Sequence, residues 1–426
     1  MRKKMPSIHS GFVGLIFFLF FALSVNNTAF SQTTPEEAVE LWNLRQTEIQ
    51  QFYQEGNLEG ALNSAQEAVS LAETAFGSGS LETISSLLLQ AQIHSEMDQL
   101  EEANQIYQVT LETSVASFGE SDATTLSVLD NYGEFLNSID PEMAEPVFQE
   151  ALQLSSEDDP QRASRMKAVG LNLLELGRII EAEGMLKQAL KTFKEISGEK
   201  NTEALSAMAS LAQLYMSQGK LKHAQELFET ALPMMLESLD ETSFLILESK
   251  ENLAEIYRQQ GKYSQAETLF LQSMKAAEAE YGEGDPLVVQ AKSHLAQLYE
   301  DTGKLKQALA FHQQVYEIDS ELLGERHPNT AGDLNNLASV QRRLGDYQKA
   351  EKLFRQSLKI MIAALGEESP QTVSVMNNLA LLLENQGLYD EAEPLFKKAF
   401  AISGKIQGEL HPTTLALLNN LAFLYE

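Results

Sequence analysis

The sequence predicts an all-α solenoid of antiparallel helix pairs, on three observations. Gly177, Gly219, Gly261, Gly303, Gly345 and Gly387 recur every 42 residues, each followed five residues later by an alanine (Ala182, Ala224, Ala266, Ala308, Ala350, Ala392). A second ladder, Gly282, Gly324, Gly366 and Gly408, keeps the same 42-residue step. The tetrapeptide Asn-Asn-Leu-Ala returns at Asn335, Asn377 and Asn419. Several ladders in one phase are the signature of a repeat array, in which each unit buries its apolar stripe against the next.

Taken in chain order, residues 1–31 read as an export signal. Arg2, Lys3 and Lys4 form a basic start, Gly11 to Val25 an apolar stretch, and Ala29-Phe30-Ser31 places small residues before Gln32. The competing reading is an uncleaved anchor, but fifteen apolar residues fall short of the ~20 that a spanning helix needs. Residues 32–165 hold degenerate repeats. Gly56 with Ala61 and Asp98 with Ala103 keep phase, while Gly77 and Gly119 repeat the second ladder. At Asp140-Pro141 one residue is missing before the equivalent alanine, Ala144, and the linker Ser155 to Pro160 is short, so a kink is expected near 140–165. Residues 166–411 are regular 42-residue repeats. Residues 412–426 read as the first helix of an incomplete tenth repeat, giving nine pairs plus one lone helix. Because solenoids end in polar caps, this apolar finish suggests a fragment, or a chain with further repeats or another domain to follow.

A regular unit shows why two helices form. In 328–365, Pro328 stands where a helix tolerates proline, at its first position. Leu334, Leu337 and Ala338 follow at helical spacing, and Gly345 breaks the run. Ala350, Leu353, Phe354, Leu358 and Ile362 then make a second amphipathic run that ends at Gly366.

Composition excludes several functions. The 426 residues carry 31 Lys+Arg against 61 Asp+Glu, a formal charge of −30, and no Cys. Removal of the leader, which holds three basic residues and no acid, takes the charge to −33. Such a chain cannot displace counterions from phosphate, so nucleic acid is not an expected partner, and neither is a membrane beyond the leader. Without cysteine there is no disulfide framework, thiolate metal site or cysteine nucleophile.

The motif Leu253-Ala254-x-x-Tyr257-x3-Gly261-x4-Ala266-x3-Phe270, repeated at Leu211-Ala212, Tyr215, Gly219, Ala224 and Phe228, resembles the tetratricopeptide repeat. Its 42-residue period and the linker Leu-Gly-Glu-x-His-Pro-x-Thr (Leu323 to Thr330) look like the kinesin light chain type. Gln341 and Leu383 depart from the tyrosine, and His312 from the phenylalanine. The resemblance covers nearly all of the chain after the leader and implies a right-handed α-α superhelix whose first helices line a concave groove for peptide segments of partner proteins.

No residue pattern carries chemistry. His94, His223, His294 and His312 lack metal-ligand spacing, His327 and His411 precede prolines as linker residues that cap or brace a turn, and neither a phosphate loop nor a nucleophile elbow is present. No enzyme activity, cofactor or metal is therefore expected. Trp42 sits at helical spacing and reads as core.

What remains is a surface. Mapped onto the resemblance, Asn252, His294, Asn335, Asn336, Asn377, Asn378, Asn419 and Asn420 face or border the groove, where an asparagine offers donor and acceptor to an extended peptide. The alternative is that these amides bracket the helices together. Arg258, Arg342 and Arg343 lie one further turn along, either gripping acidic groups of a partner by bidentate bonds or paired with the protein's own surface glutamates. The expected function is a non-catalytic scaffold that binds partner peptides or proteins outside the cytosol, periplasmic or secreted. The alternative is the recognition arm of a longer enzyme, since bacterial proteins resembling this arrangement often join such repeats to a caspase-like protease domain of the CHAT type.

Overall fold

The computed structural model describes residues 33–425; the leader assigned to 1–31 lies outside them. Nineteen helices occupy the described residues, with no strand among them. They fall into two compact units, Met1–Gln188 and Ala189–Glu426, each an α-α solenoid.

In the first unit, α1 (Pro35–Gln54) pairs with α2 (Leu58–Phe76), α3 (Leu81–Glu96) with α4 (Leu100–Phe118), and α5 (Ala123–Ile139) with α6 (Pro141–Leu154); α7 (Arg162–Glu175) and the start of α8 (Ile179–Ser197) follow. The irregular third pair is explained by Asp140. It is at once the last cap of α5 and the first cap of α6, its carboxylate accepting from the Glu142 amide at 3.0 Å. One residue replaces the usual turn, which is why Ala144 arrives early. Trp42 packs into the core formed by Ile49, Ala61, Ala65, Ala68 and Ile93, and its indole N–H donates to Ser86 Oγ at 3.0 Å.

The second unit holds the end of α8, then α9 (Thr202–Ser217) with α10 (Leu221–Ser238), α11 (Phe244–Gln259) with α12 (Tyr263–Tyr281), α13 (Pro286–Asp301) with α14 (Leu305–Leu322), α15 (Pro328–Arg343) with α16 (Tyr347–Leu365), α17 (Pro370–Asn385) with α18 (Tyr389–Gln407), and α19 (Pro412–Leu424) alone. Each first helix packs on its own second helix, and each second helix on the first helix of the next repeat.

Helix ends follow from the ladders. Gly261, at φ +74°, donates to the Arg258 carbonyl at 3.0 Å, and Lys262 donates to the Tyr257 carbonyl at 2.8 Å. This closing pattern needs a left-handed residue, which glycine supplies without a Cβ penalty. Asp98 takes the same place at φ +60°, the one non-glycine residue in that conformation among those described. In the linkers, Thr330, Thr372 and Thr414 donate their hydroxyls to the carbonyls of Gly324, Gly366 and Gly408 at 3.0, 2.8 and 2.9 Å, so each buried threonine pins the next first helix to the preceding turn. His327 and His411 cap as expected: each accepts through Nδ1 from the amide two residues on, both at 3.2 Å.

Between the layers, Phe228, Phe270, Phe354 and Phe396 are fully enclosed against buried alanines such as Ala224, Ala266, Ala350 and Ala392. Burying each ring contributes ~1.5–3 kcal/mol. His312 occupies the equivalent place and is buried too; its Nε2 lies 2.9 Å from Glu300 Oε1, which supplies the partner a buried imidazole requires.

Candidate peptide-binding face

Successive first helices of the second unit approach one another (α9 to α11, α11 to α13, α15 to α17, α17 to α19), whereas their second helices make no comparable approach among the described residues. The first-helix layer is thus the shorter side of this unit's curve. On it, Asn252, His294, Asn335, Asn377, Asn378 and Asn420 are half-buried, and Asn336 and Asn419 are exposed.

Five of these side chains take part in rungs offset by one repeat plus one residue. Asn378 Nδ2 donates to Asn335 Oδ1 at 2.9 Å, and Asn420 Nδ2 to Asn377 Oδ1 at 2.8 Å. Two repeats before the Asn335–Asn378 rung, the same offset pairs His294 with Glu251, Nδ1 lying 2.9 Å from Oε2. Glu251 in turn accepts from Ser273 Oγ at 3.1 Å, and the His294 ring rests on Phe270 with centroids 5.2 Å apart. Each rung uses one donor of one residue and one acceptor of the other, so the remaining amide valences stay open on the half-exposed side. Asn335 Nδ2 makes only a 3.5 Å approach to Asn336 Oδ1, and no partner within the described residues meets the Asn252 or Asn419 side chain.

Two turns along, not the single turn expected from the sequence, a second row of rungs has the same offset. Arg258 binds Asp301 of the next repeat and grips Glu255 on its own helix, Nε at 2.7 Å and Nη2 at 2.9 Å. Arg343 donates from Nη1 to Glu300 Oε2 at 2.9 Å and from Nη2 to the Glu300 carbonyl at 2.8 Å. Arg342 differs. The residue one repeat plus one further is Asn385, whose amide donates to the Leu381 carbonyl at 2.6 Å, and no carboxylate lies within ion-pair distance of Arg342 among the described residues. The structure does not gather the three arginines, since two repeats separate Arg258 from Arg342.

The acids facing these cations respond accordingly. Burial pushes the Glu255 carboxyl up, but the Arg258 and Gln259 hydrogen bonds outweigh it and hold the group below the ordinary carboxylate range. Glu248, one turn before Glu251, is raised by burial, with the Glu251 charge adding to it against a bond from Gln213.

At the turn end of the same layer runs a belt of tyrosine, glutamate and lysine. Tyr257 donates to Glu229 at 2.7 Å, and Tyr299 to Glu267 at 2.8 Å. Lys262 and Lys304 sit over the two rings at 5.3 and 5.1 Å, a cation–π contact. Burial, then the glutamate bond and charge, pushes both phenols up to about 12. Neither the rungs nor this belt is read from single positions. The signal that would have found them is complementarity between residues 43 apart for the rungs, and 28 or 32 apart for the belt.

Among the described residues, no group of three or more His, Cys, Asp and Glu could hold a metal ion, and no helix is long and apolar enough to cross a membrane.

The tetratricopeptide repeat profile matches residues 162–237, 245–321, 288–363 and 371–426, together more than half of the chain. No curated protein matches the sequence. Among solved structures, the chain is similar to a putative kinesin light chain with nearly identical TPR-like repeats from Podosopora anserina, at 26% identity over 48% of this chain and 96% of that one, with a TM-score of 0.43. It is similar to BtubC (BKLC) from P. vanneervenii at 24% identity, covering 56% and 92%, TM-score 0.46. A Rap protein complexed with Competence and Sporulation Factor is 13% identical, covering 81% and 98%, TM-score 0.49.

Proposed function

The chain belongs to the tetratricopeptide repeat family, a fold that generally serves protein interaction and is typically non-catalytic, and from that premise we propose that it is a scaffold holding an extended segment of a partner protein on its first-helix layer. The observation that carries this reading is the row of half-exposed amides from α11 to α19. The rungs between α15, α17 and α19 fix those side chains at a regular spacing while leaving donors and acceptors free for a peptide backbone. A backbone bound in this way gives sequence-tolerant affinity; Arg342, which no carboxylate of the described residues neutralises, favours a partner that brings an acidic side chain to α15. Arg258 and Arg343 carry less of that preference, because Asp301, Glu255 and Glu300 occupy them.

We further propose export: the basic, apolar and small-residue segments of 1–31 support work outside the cytosol, in the periplasm or the medium. A strongly acidic scaffold keeps itself dispersed there and repels anionic surfaces.

The test uses the chain from Gln32 onward as bait in an extract of its own host, followed by titration of the captured segment as a synthetic peptide. Asn336→Asp and Asn252→Asp alter the face without touching a rung. Loss of peptide affinity in these variants, with unchanged thermal stability, supports the reading; full affinity in both excludes the face. Fractionation and N-terminal sequencing of the expressed protein check export, and an intact Met1 in the cytosolic fraction would refute it.

A further inference from the structure

The contact between each second helix and the following first helix repeats every 42 residues, which makes one exception visible. Residues fourteen apart meet across it, as the Ser249 hydroxyl does with the Met235 sulfur at 3.6 Å. The equivalent pairs are Ala277 with Ala291, Met361 with Val375, and Ser403 with Leu417, all buried and none ionisable. Between α14 and α15 the pair is Asp319 with Asp333. Asp333 is 8% exposed, and its Oδ2 is enclosed with no N–H or O–H donor of the described residues reaching it.

We propose that Asp319 and Asp333 form a proton-dependent joint between repeats: one shared proton closes the α14–α15 contact, and loss of that proton drives the two helices apart. Two carboxyls side by side, Asp333 enclosed and Asp319 half-buried, satisfy each other only when one of them donates, because two carboxylates there repel and the enclosed one is cut off from water. Burial first, then the charge and hydrogen bond of Asp319, pushes the Asp333 carboxyl up to about 7. Titratable groups on the surrounding elements do not offset this. On α13, Lys292 is held by Glu283 at 3.0 Å and Glu278 at 3.6 Å. On α14, His312 is bound to Glu300, and on α15 the next charges are Arg342 and Arg343, more than two turns away. The face of α16 toward α15 is Ala350, Phe354, Ser357 and Met361, and α17 carries a single ionisable residue, Glu384, near its far end.

The sign is fixed by linkage. Between the ordinary carboxylate range and about 7 the folded chain keeps a proton that the unfolded chain has released, so stability at this joint falls as pH rises through that window. Asp333 lies two residues before Asn335 on α15, so opening the joint shifts the rung residues of that helix relative to those of α13. The joint needs no ligand, and it stands whether or not the neighbouring face binds peptide.

Hydrogen exchange on the full chain, corrected for intrinsic rates, tests this at about pH 5.5 and about pH 8.5. The expected result is protection of α14 and α15 amides lower by about tenfold or more at the higher pH, with α11 and α12 unchanged. Asp333→Asn, whose amide donates to Asp319 at either pH, should abolish the difference. So should the double variant Asp319→Ala/Asp333→Ala, which copies the Ala277/Ala291 contact. Equal protection of α15 at the two pH values in the native chain, or the same pH dependence in both variants, overturns the joint.

Discussion

Asn378 donates its amide to Asn335 across exactly one repeat and one residue, at 2.9 Å, and Asn420 does the same to Asn377. The extra residue reflects a stagger: successive first helices meet at positions one step apart, so identical residues do not face each other. On α17 the adjacent asparagines therefore divide their work, Asn377 accepting from the next repeat and Asn378 donating to the previous one.

A double-mutant cycle on Asn335→Ala and Asn378→Ala measures that rung. Each single change should cost ~0.5–1.5 kcal/mol, and the coupling between them should be close to ~1 kcal/mol, read from denaturant unfolding. Strict additivity would mean the bond contributes nothing.

Arg342 and Arg343 are neighbours in sequence with different expected phenotypes. Arg343→Ala removes the contact with Glu300 and should lower stability by up to ~1 kcal/mol, the range of partly exposed ion pairs. Arg342→Ala should leave the melting temperature unchanged while weakening capture of an acidic peptide and flattening its salt dependence. Equal binding by wild type and Arg342→Ala would remove the electrostatic part of the proposed recognition.

Asp98 holds a left-handed backbone where the other repeats use glycine. Asp98→Gly should raise stability, by ~0.5–1 kcal/mol, because relief of the Cβ strain exceeds the added freedom of the unfolded chain. Thermal unfolding followed by circular dichroism gives the sign directly.

The acid limb of stability should depend on Arg258. Glu255 is held below its ordinary range, burial notwithstanding, by bonds from Arg258 and Gln259. A carboxyl depressed in the fold stabilises above its unfolded pKa, and that contribution is lost as pH falls through the folded one. Arg258→Met should therefore cost stability near pH 7 and make the decline below about pH 4 shallower than in wild type. Parallel pH profiles for the two proteins would show that the pair is not coupled to folding.

Much of the first-helix layer was legible in the chain itself. The 42-residue phase identified Asn335, Asn377 and Asn419 as equivalent and placed them on one stripe, since periodicity fixes which face of a helix a residue occupies. The partners were not legible. With 61 acidic residues, any arginine has many candidate carboxylates in sequence, and only the stacking distance selects Asp301 for Arg258 and Glu300 for Arg343. His312 looked like a departure from the repeat; the half-buried Glu300 beside it shows how an imidazole is accommodated in place of a phenyl ring.

The sequence by itself determined the helix pairs, their ends and their order. Those depend on residues close in the chain: a glycine able to turn left-handed, a proline without an amide hydrogen, an apolar stripe every turn. Only the tertiary structure decided which polar groups spend their hydrogen bonds inside the protein and which keep them, leaving Arg342 without a carboxylate and setting Asp333 against Asp319. That choice rests on distances between helices a whole repeat apart, where the stagger of packed side chains, not the spacing along the chain, sets who meets whom.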